Sequence, residues 1–475
     1  MKQIILPQLG FWDLAIIIFY LVANATLGFL VIKRKKKPDD EVAEYILASR
    51  KLTLPAFVAT LVSTWYGGII AVGEYVYDNG IVTWIVFGIP YYIAGLLFAF
   101  VLARRVNQDT VHLSIPDRLA GVYGKRAGYI GAVATSFMTS PAAYIMMLAT
   151  LYQWFFGFSY WVAIFVALLS SIVYLFHGGF RASLRADILQ FITMFLGFAV
   201  ILPYAFLNLG GISYLQTNLP ASHQAFMGSF SPWYILVWYL AAMTTLVDPN
   251  VHQRVFAVRS PQVAKLGMIV SVAFWLLFDF MTNAAGLYAR AAYPSLAESK
   301  FAYPALAEMV LPAGMKGVFY TGMLATVLST VDSFFFTSAT IIGRDILWRI
   351  WGRGEESKEK RFIQWGLVVT AAVSLVVIGF QQKIYMIWYS FASVLVPSLL
   401  LPLTLSYFPK LKPTAKRAEL TMVLAGGISL VQYVIGVMAG TSEKPIYLLG
   451  IEPMYLGLAV SVLILVPGMW RKYGT

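Results

Sequence analysis

Inside one long apolar run, the stretch LATVLSTVDSFFFTSAT (Leu324–Thr340) carries Thr326, Ser329, Thr330, Asp332 and Ser333. On a helix, Ser329, Asp332 and Ser333 fall at i, i+3 and i+4 and share a face, with Thr326 and Thr330 beside it. Hydroxyl, carbonyl and carboxylate oxygens are hard ligands, suited to a hard cation stripped of most of its water. Taken singly, each hydroxyl is more simply read as bonding back to the carbonyl four residues earlier, or as packing between helices. The cluster with an aspartate reverses that preference. An aspartate near the middle of a membrane helix costs about 2.5–3.5 kcal/mol on the insertion scale. No Lys or Arg lies in the middle of this segment, so Asp332 either joins a cation or holds a proton. Asp187, which follows GGFRASLRA (Gly178–Ala186), is a second carboxylate at the mouth of an apolar segment. Glu74, Asp78, Asp279 and Asp13 are read as bordering an entry path or as structural.

Two further apolar segments contain helix breakers together with polar side chains. In VSTWYGGII (Val62–Ile70), Gly67 and Gly68 weaken the helix next to Ser63, Thr64 and Tyr66. In TTLVDPNVHQR (Thr244–Arg254), Pro249 lacks an N–H and clashes with the preceding turn. At membrane depth, freed backbone groups are tolerated where they line a cavity or bind something. Four unclustered histidines and no cysteine exclude a thiolate metal site, a disulfide and a cysteine nucleophile, and argue against a transition-metal centre.

The elements that position these residues are membrane helices. Of 475 residues 59% are hydrophobic and 12% charged, where a soluble domain carries about 25% charged residues. With about 20 apolar residues per crossing, thirteen spans are predicted: 11–32, 52–79, 81–103, 127–156, 159–178, 187–207, 233–253, 262–289, 315–342, 362–380, 384–408, 418–440 and 452–470. The first span ends in KRKKK (Lys33–Lys37) with no cleavage site before it, so it is read as retained. With the N-terminus outside, all Lys and Arg except Lys2, Arg290, Lys300, Lys316, Lys383 and Lys444 fall on inside segments. The net charge of +13 is therefore the positive-inside signal of a multi-pass protein of the plasma or inner membrane, with a cytoplasmic C-terminus. It does not point to nucleic acid. No ATP-binding fingerprint and no obligatory protein partner is evident. Counted from the second span, the two breaks fall first in each of two groups of five, which makes the halves inverted and points to a transporter binding site between them.

At this point the sequence resembles the sodium:solute symporter family of proline, galactose, pantothenate and sialic-acid transporters. The resemblance rests on GGFRASLRADILQ (Gly178–Gln190), QRVFAVRSPQVAK (Gln253–Lys265) and LSTVDSFFFTSATIIGRDI (Leu328–Ile346), with the thirteen-span plan. It implies an all-α polytopic fold with a five-plus-five inverted repeat. Residues 52–207 and 233–408 would form the halves, 11–32 an extra span before them and 418–470 two spans after. It implies sodium as coupling ion, held by backbone near Leu61 and Thr64, the carbonyl of Thr326 and the hydroxyls of Ser329 and Thr330. Some members have a second sodium site, whose matching positions are Asp187, Ser329, Asp332 and Ser333. Members usually carry a small hydroxyl residue in place of Asp332 and a threonine in place of Ala186, so the extra carboxylate either strengthens that site or replaces it with a proton-titrating group.

The activity expected is sodium-coupled import of a small organic solute, of amino-acid, sugar or polyol, or carboxylate type, by alternating access. A proton-coupled transporter of the same fold is the alternative, and a channel or sensor the alternative from another class. No nucleophile or metal dyad marks an enzyme. Solute contacts are expected from Ser63, Trp65, Tyr66, Gly67 and Gly68 at the first break, and from Asp248, Asn250, His252 and Gln253 at the second. Tyr389 and Ser393, four apart, are expected at a gate. An aspartate there favours an amine or a polyhydroxyl solute over a simple anion.

Overall fold

The computed structural model describes residues 7–29, 41–352, 355–380, 384–441 and 445–473. Lys2, Lys33–Lys37, Arg353, Lys383, Lys444 and residues 30–32 of the first predicted span lie outside them. Among the described residues every regular element is helical, and the one strand-like contact is an isolated parallel bridge between Leu52 and Val258. Among the described residues nine helices are long and apolar enough to cross a bilayer, and Leu54–Trp65 with Ile69–Asn79, bent by 55°, make ten if the bent pair is one span. Two shorter apolar helices, Tyr160–Val173 and Pro453–Pro467, lie where the fifth and thirteenth spans are predicted.

In chain order, the helices that build the central region are α1 (Phe11–Phe29), α2 (Leu54–Trp65), α3 (Ile69–Asn79), α4 (Tyr160–Leu209), α5 (Pro232–Ala241), α6 (Pro249–Ala257), α7 (Pro261–Ala292), α8 (Met315–Thr340) and α9 (Ile384–Ser406). Helix α8 is the axis of the fold: every residue of its most apolar 18-residue window is buried. It packs on α4 through small residues. A Cβ on Gly197 would stand 2.8 Å from Gly322 Cα, so the two backbones approach as glycine permits.

The first break follows from its two glycines. A Cβ on Gly67 would sit 2.0 Å from Thr330 Oγ1, and one on Gly68 2.3 Å from the Trp388 ring. Helix α2 therefore ends where the chain must pass close against α8 and α9. The second break runs from α5 through a 3-10 turn, Ala242–Leu246, to α6. Asp248 is the N-cap of α6, its Oδ1 accepting from the N–H of Asn250 at 2.6 Å and of Val251 at 3.3 Å. Pro249 takes the first helical position, where its missing N–H is not needed.

One boundary differs from expectation. The loop predicted between 178 and 187 is shorter than expected: α4 is two helices that meet at Gly179, whose φ of 57° and ψ of −153° are not helical, and the second helix starts there. A Cβ there would strike the Tyr45 ring at 2.5 Å. Glycine meets both the backbone and the space requirement.

At the Lys- and Arg-rich end, the chain before α2 is bonded to the chain after α6. Leu52 N–H donates to Ala257 O at 3.0 Å and Arg259 N–H to Leu52 O at 3.2 Å. Just before this clasp Ala48, Ser49 and Arg50 are left-handed, with φ of 48°, 58° and 54°. The Arg50 guanidinium donates to the carbonyls of Asp109, Thr110 and His112 at 3.1–3.2 Å. Asn107 adds bonds to Val255 O and Val258 O at 3.0 and 2.9 Å.

Candidate functional site

The end of α2 is tied to the middle of α8 by oxygen atoms. Thr330 Oγ1 donates to Thr64 O at 2.7 Å and lies 3.4 Å from Ser63 O and from Thr326 O. Ser329 Oγ lies 2.9 Å from Ser63 Oγ and 2.7 Å from Asp187 Oδ1 on α4. The Thr326 hydroxyl bonds back to Gly322 O, so its carbonyl is the atom turned to Thr330. Leu61 is buried one turn before Thr64, and the hydrogen bonds to α8 begin at Ser63. Carbonyls freed at the helix end and hydroxyls on a rigid neighbour form an all-oxygen set whose chemistry fits an alkali cation. No group of three or more His, Cys, Asp or Glu suited to a metal ion occurs among the described residues.

The neighbouring oxygens already face a cation of the protein's own. Arg254, on α6, is fully buried. Its Nη2 lies 2.5 Å from Thr64 Oγ1, 2.7 Å from Ser333 Oγ and 3.2 Å from Asp187 Oδ2. Thr64 Oγ1 and Ser333 Oγ are themselves 2.8 Å apart. By its place in the sequence Arg254 counts among the inside basic residues with Arg259 and Lys265. The structure instead puts its guanidinium among Asp187, Ser333 and Thr64, across the Phe180 ring. Asp187 bonds Arg254 and Ser329, Asp332 has Ser171 as a hydrogen-bond neighbour, and Tyr20 lies near both carboxylates.

Beside the first break lies a cavity of about 170 Å³. Of the residues expected to meet solute, Trp65, Tyr66, Gly68 and Asp248 line it. Ser63 turns to Ser329, and Gly67 abuts Thr330. Asn250 and Gln253 accept from Thr337 Oγ1 at 2.6 and 2.8 Å, and Gln253 Nε2 donates to Ile46 O. The His252 ring lies 3.0 Å from Leu246 O and 3.4 Å from the Tyr407 hydroxyl. Tyr389 bonds Glu452 and lines a separate cavity of about 380 Å³ with Glu74, Asp78 and Trp238. Ser393 is fully buried one turn further on.

Sequence reasoning does not single out the aromatic walls of the first cavity, Tyr91, Tyr144, Phe334 and Trp388, and it reads Asp279 on α7 as structural, whereas here Asp279 supplies a second carboxylate to the wall. Asp279 accepts from the hydroxyls of Tyr66 and Tyr92. Its burial mid-helix is its only sequence signal, and a membrane-helix aromatic looks the same whether it packs or lines a cavity.

The profile of the sodium:solute symporter family matches residues 45–424. The chain belongs to the sodium:solute symporter family. It is a multi-pass membrane transporter, not an enzyme. It is 24% identical to a sodium/pantothenate symporter of Escherichia coli, with 97% of each chain covered. It is 22% identical to high-affinity choline transporter 1 of Drosophila melanogaster, over 82% of this chain and 65% of that protein. Among solved structures, a substrate-bound, outward-open Na⁺-coupled sialic acid symporter shares the fold, with TM-score 0.77, 17% identity and 98% of each chain covered.

Proposed function

We propose that this symporter couples inward movement of sodium to import of a small organic solute by alternating access, with the solute in the aromatic cavity at the first break. The observation that carries this reading is the Thr330 hydroxyl at 2.7 Å from the Thr64 carbonyl. It joins the end of a broken helix, next to the cavity, to the most buried helix of the fold. Sodium at Thr64 O, Ser63 O, Thr326 O, Ser329 and Thr330 would hold these helices together. It would drive transport by binding one state more tightly than the other.

The Arg254–Asp187 pair supports one coupling sodium per cycle. A second ion at Asp187, Ser333 and Thr64 would have to displace the guanidinium. The two breaks support a five-plus-five inverted arrangement of 52–207 and 233–408, with 11–32 before, 418–470 after and thirteen spans in all. The basic bias places the N-terminus outside and the C-terminus in the cytoplasm of a plasma- or inner-membrane protein.

Proteoliposome uptake tests the reading. Solute accumulation should require an inward sodium gradient and one sodium per solute. Accumulation that survives replacing sodium with potassium, yet collapses with a protonophore, would transfer the coupling to protons at Asp332.

A further inference from the structure

Granting that the cavity beside the first break is the solute site, its chemistry goes further than the family does, because relatives of similar identity are named for solutes as different as pantothenate and choline. Two carboxylates line it, Asp248 and Asp279, and no Lys, Arg or His is among the described residues of its wall. Arg254, the nearby buried base, is engaged with Asp187, Thr64 and Ser333.

The uncharged part of the wall is largely aromatic. Trp65, Tyr91, Tyr144 and Trp388, whose ring faces carry negative potential, line the space in two ring pairs, with centroids 6.1 Å apart for Trp65–Tyr91 and 5.9 Å for Tyr144–Trp388. Ring faces with a carboxylate at hand are the environment in which a desolvated ammonium group is bound.

The helix N-terminus at α6 would ordinarily attract an anion. Here Asp248 already takes that place, accepting the N–H groups of Asn250 and Val251 on Oδ1. A carboxylate solute would meet two carboxylates, with only the one sodium proposed beside the first break to compensate it. A polyol would find partners in the two carboxylates and in Thr244, Tyr91 and Tyr144, but would bring no charge to balance two buried carboxylates.

We infer that the solute is an organic cation: a positively charged ammonium nitrogen on a compact apolar body, without a carboxylate, held between the aromatic faces and the Asp248 and Asp279 carboxylates.

The test is binding to the purified full-length protein, followed by calorimetry or thermal shift with sodium and with potassium. The probes are choline, phenethylamine and putrescine, the neutral isostere of choline 3,3-dimethylbutan-1-ol, its carboxylate counterpart 3,3-dimethylbutanoate, and proline, galactose and pantothenate. At least one ammonium probe should bind in sodium, and should bind at least about tenfold more tightly than its neutral isostere, with the carboxylates silent. Asp248→Asn, which keeps a side chain able to cap α6, should remove most of that tenfold preference.

Preferred binding of the neutral, anionic or zwitterionic probes would overturn the assignment, as would ammonium probes that all fail. A preference unchanged in Asp248→Asn with Asp279→Asn would overturn it too. If sodium is still required in these cases, the symport reading stands. If ammonium probes bind equally in potassium, the charge assignment stands and sodium coupling falls.

Discussion

On the proposed reading, Thr330 and Ser329 are the two side chains that hold the coupling sodium most directly. A hydroxyl is worth about 1 kcal/mol in a net hydrogen bond and more where its loss strands a buried partner. Ser329→Ala with Thr330→Ala should therefore raise the sodium concentration for half-maximal uptake by about tenfold or more, read from uptake against sodium concentration. Arg254 gives a second prediction. Its removal as Arg254→Gln leaves Asp187 fully buried without its countercharge, which costs about 3–5 kcal/mol. Adding Asp187→Asn should return most of that loss in the thermal unfolding of the detergent-solubilised protein. The oxygen cluster on α8 is legible because its members lie within one short stretch and share a face. Arg254 is not, because the atoms it meets are 67 to 190 positions away, and beside Arg259 and Lys265 it looks like one more surface base.

Among the elements, the broken helix α2–α3 has the narrowest tolerance. Gly67→Ala would drive a methyl group into Thr330 and should abolish sodium-dependent solute binding. Combining it with Thr330→Gly, which removes all three side-chain atoms the methyl would meet, should restore expression and thermal stability but not sodium dependence, which separates misfolding from loss of the proposed ion site. Both breaks are readable, since a Gly-Gly pair and an Asp-Pro step announce an interrupted helix. The abrupt join of the two helices of α4 is harder to read. The stretch after Gly179 is rich in polar and basic residues and looks like a loop, but it is the first part of the second helix, with Phe180 in the core beside Tyr45. The division of the span after α5 into a 3-10 turn and a short helix likewise depends on what packs around it, which hydropathy does not contain.

At the scale of the whole molecule, the basic end is held by ion pairs as well as by the clasp. Asp117 lies 3.4 Å from Arg344 and 2.5 Å from Arg349. Burial acts to raise its carboxyl, but the charge of Arg344, the Leu113 N–H and Arg349 outweigh it and hold the group below the usual carboxylate range. A lowered folded value stabilises the protein above about pH 4, where the unfolded group ionises, and the gain is lost as pH falls through the folded value. The melting-temperature gap between wild type and Asp117→Asn should thus be full near neutrality and close as the pH is taken from about 5 towards 3. The clasp itself has a kinetic meaning. Three consecutive left-handed residues that are not glycine cost about 1–2 kcal/mol each, and Ala48, Ser49 and Arg50 hold that shape where the chain enters the Leu52–Val258 bridge. The closed end is therefore a loaded spring with Arg50 as its catch. The amide hydrogens of Leu52 and Arg259 become a clock: their exchange with deuterated solvent counts how often the basic end opens, slowed by whatever favours the closed state and quickened by Arg50→Ala.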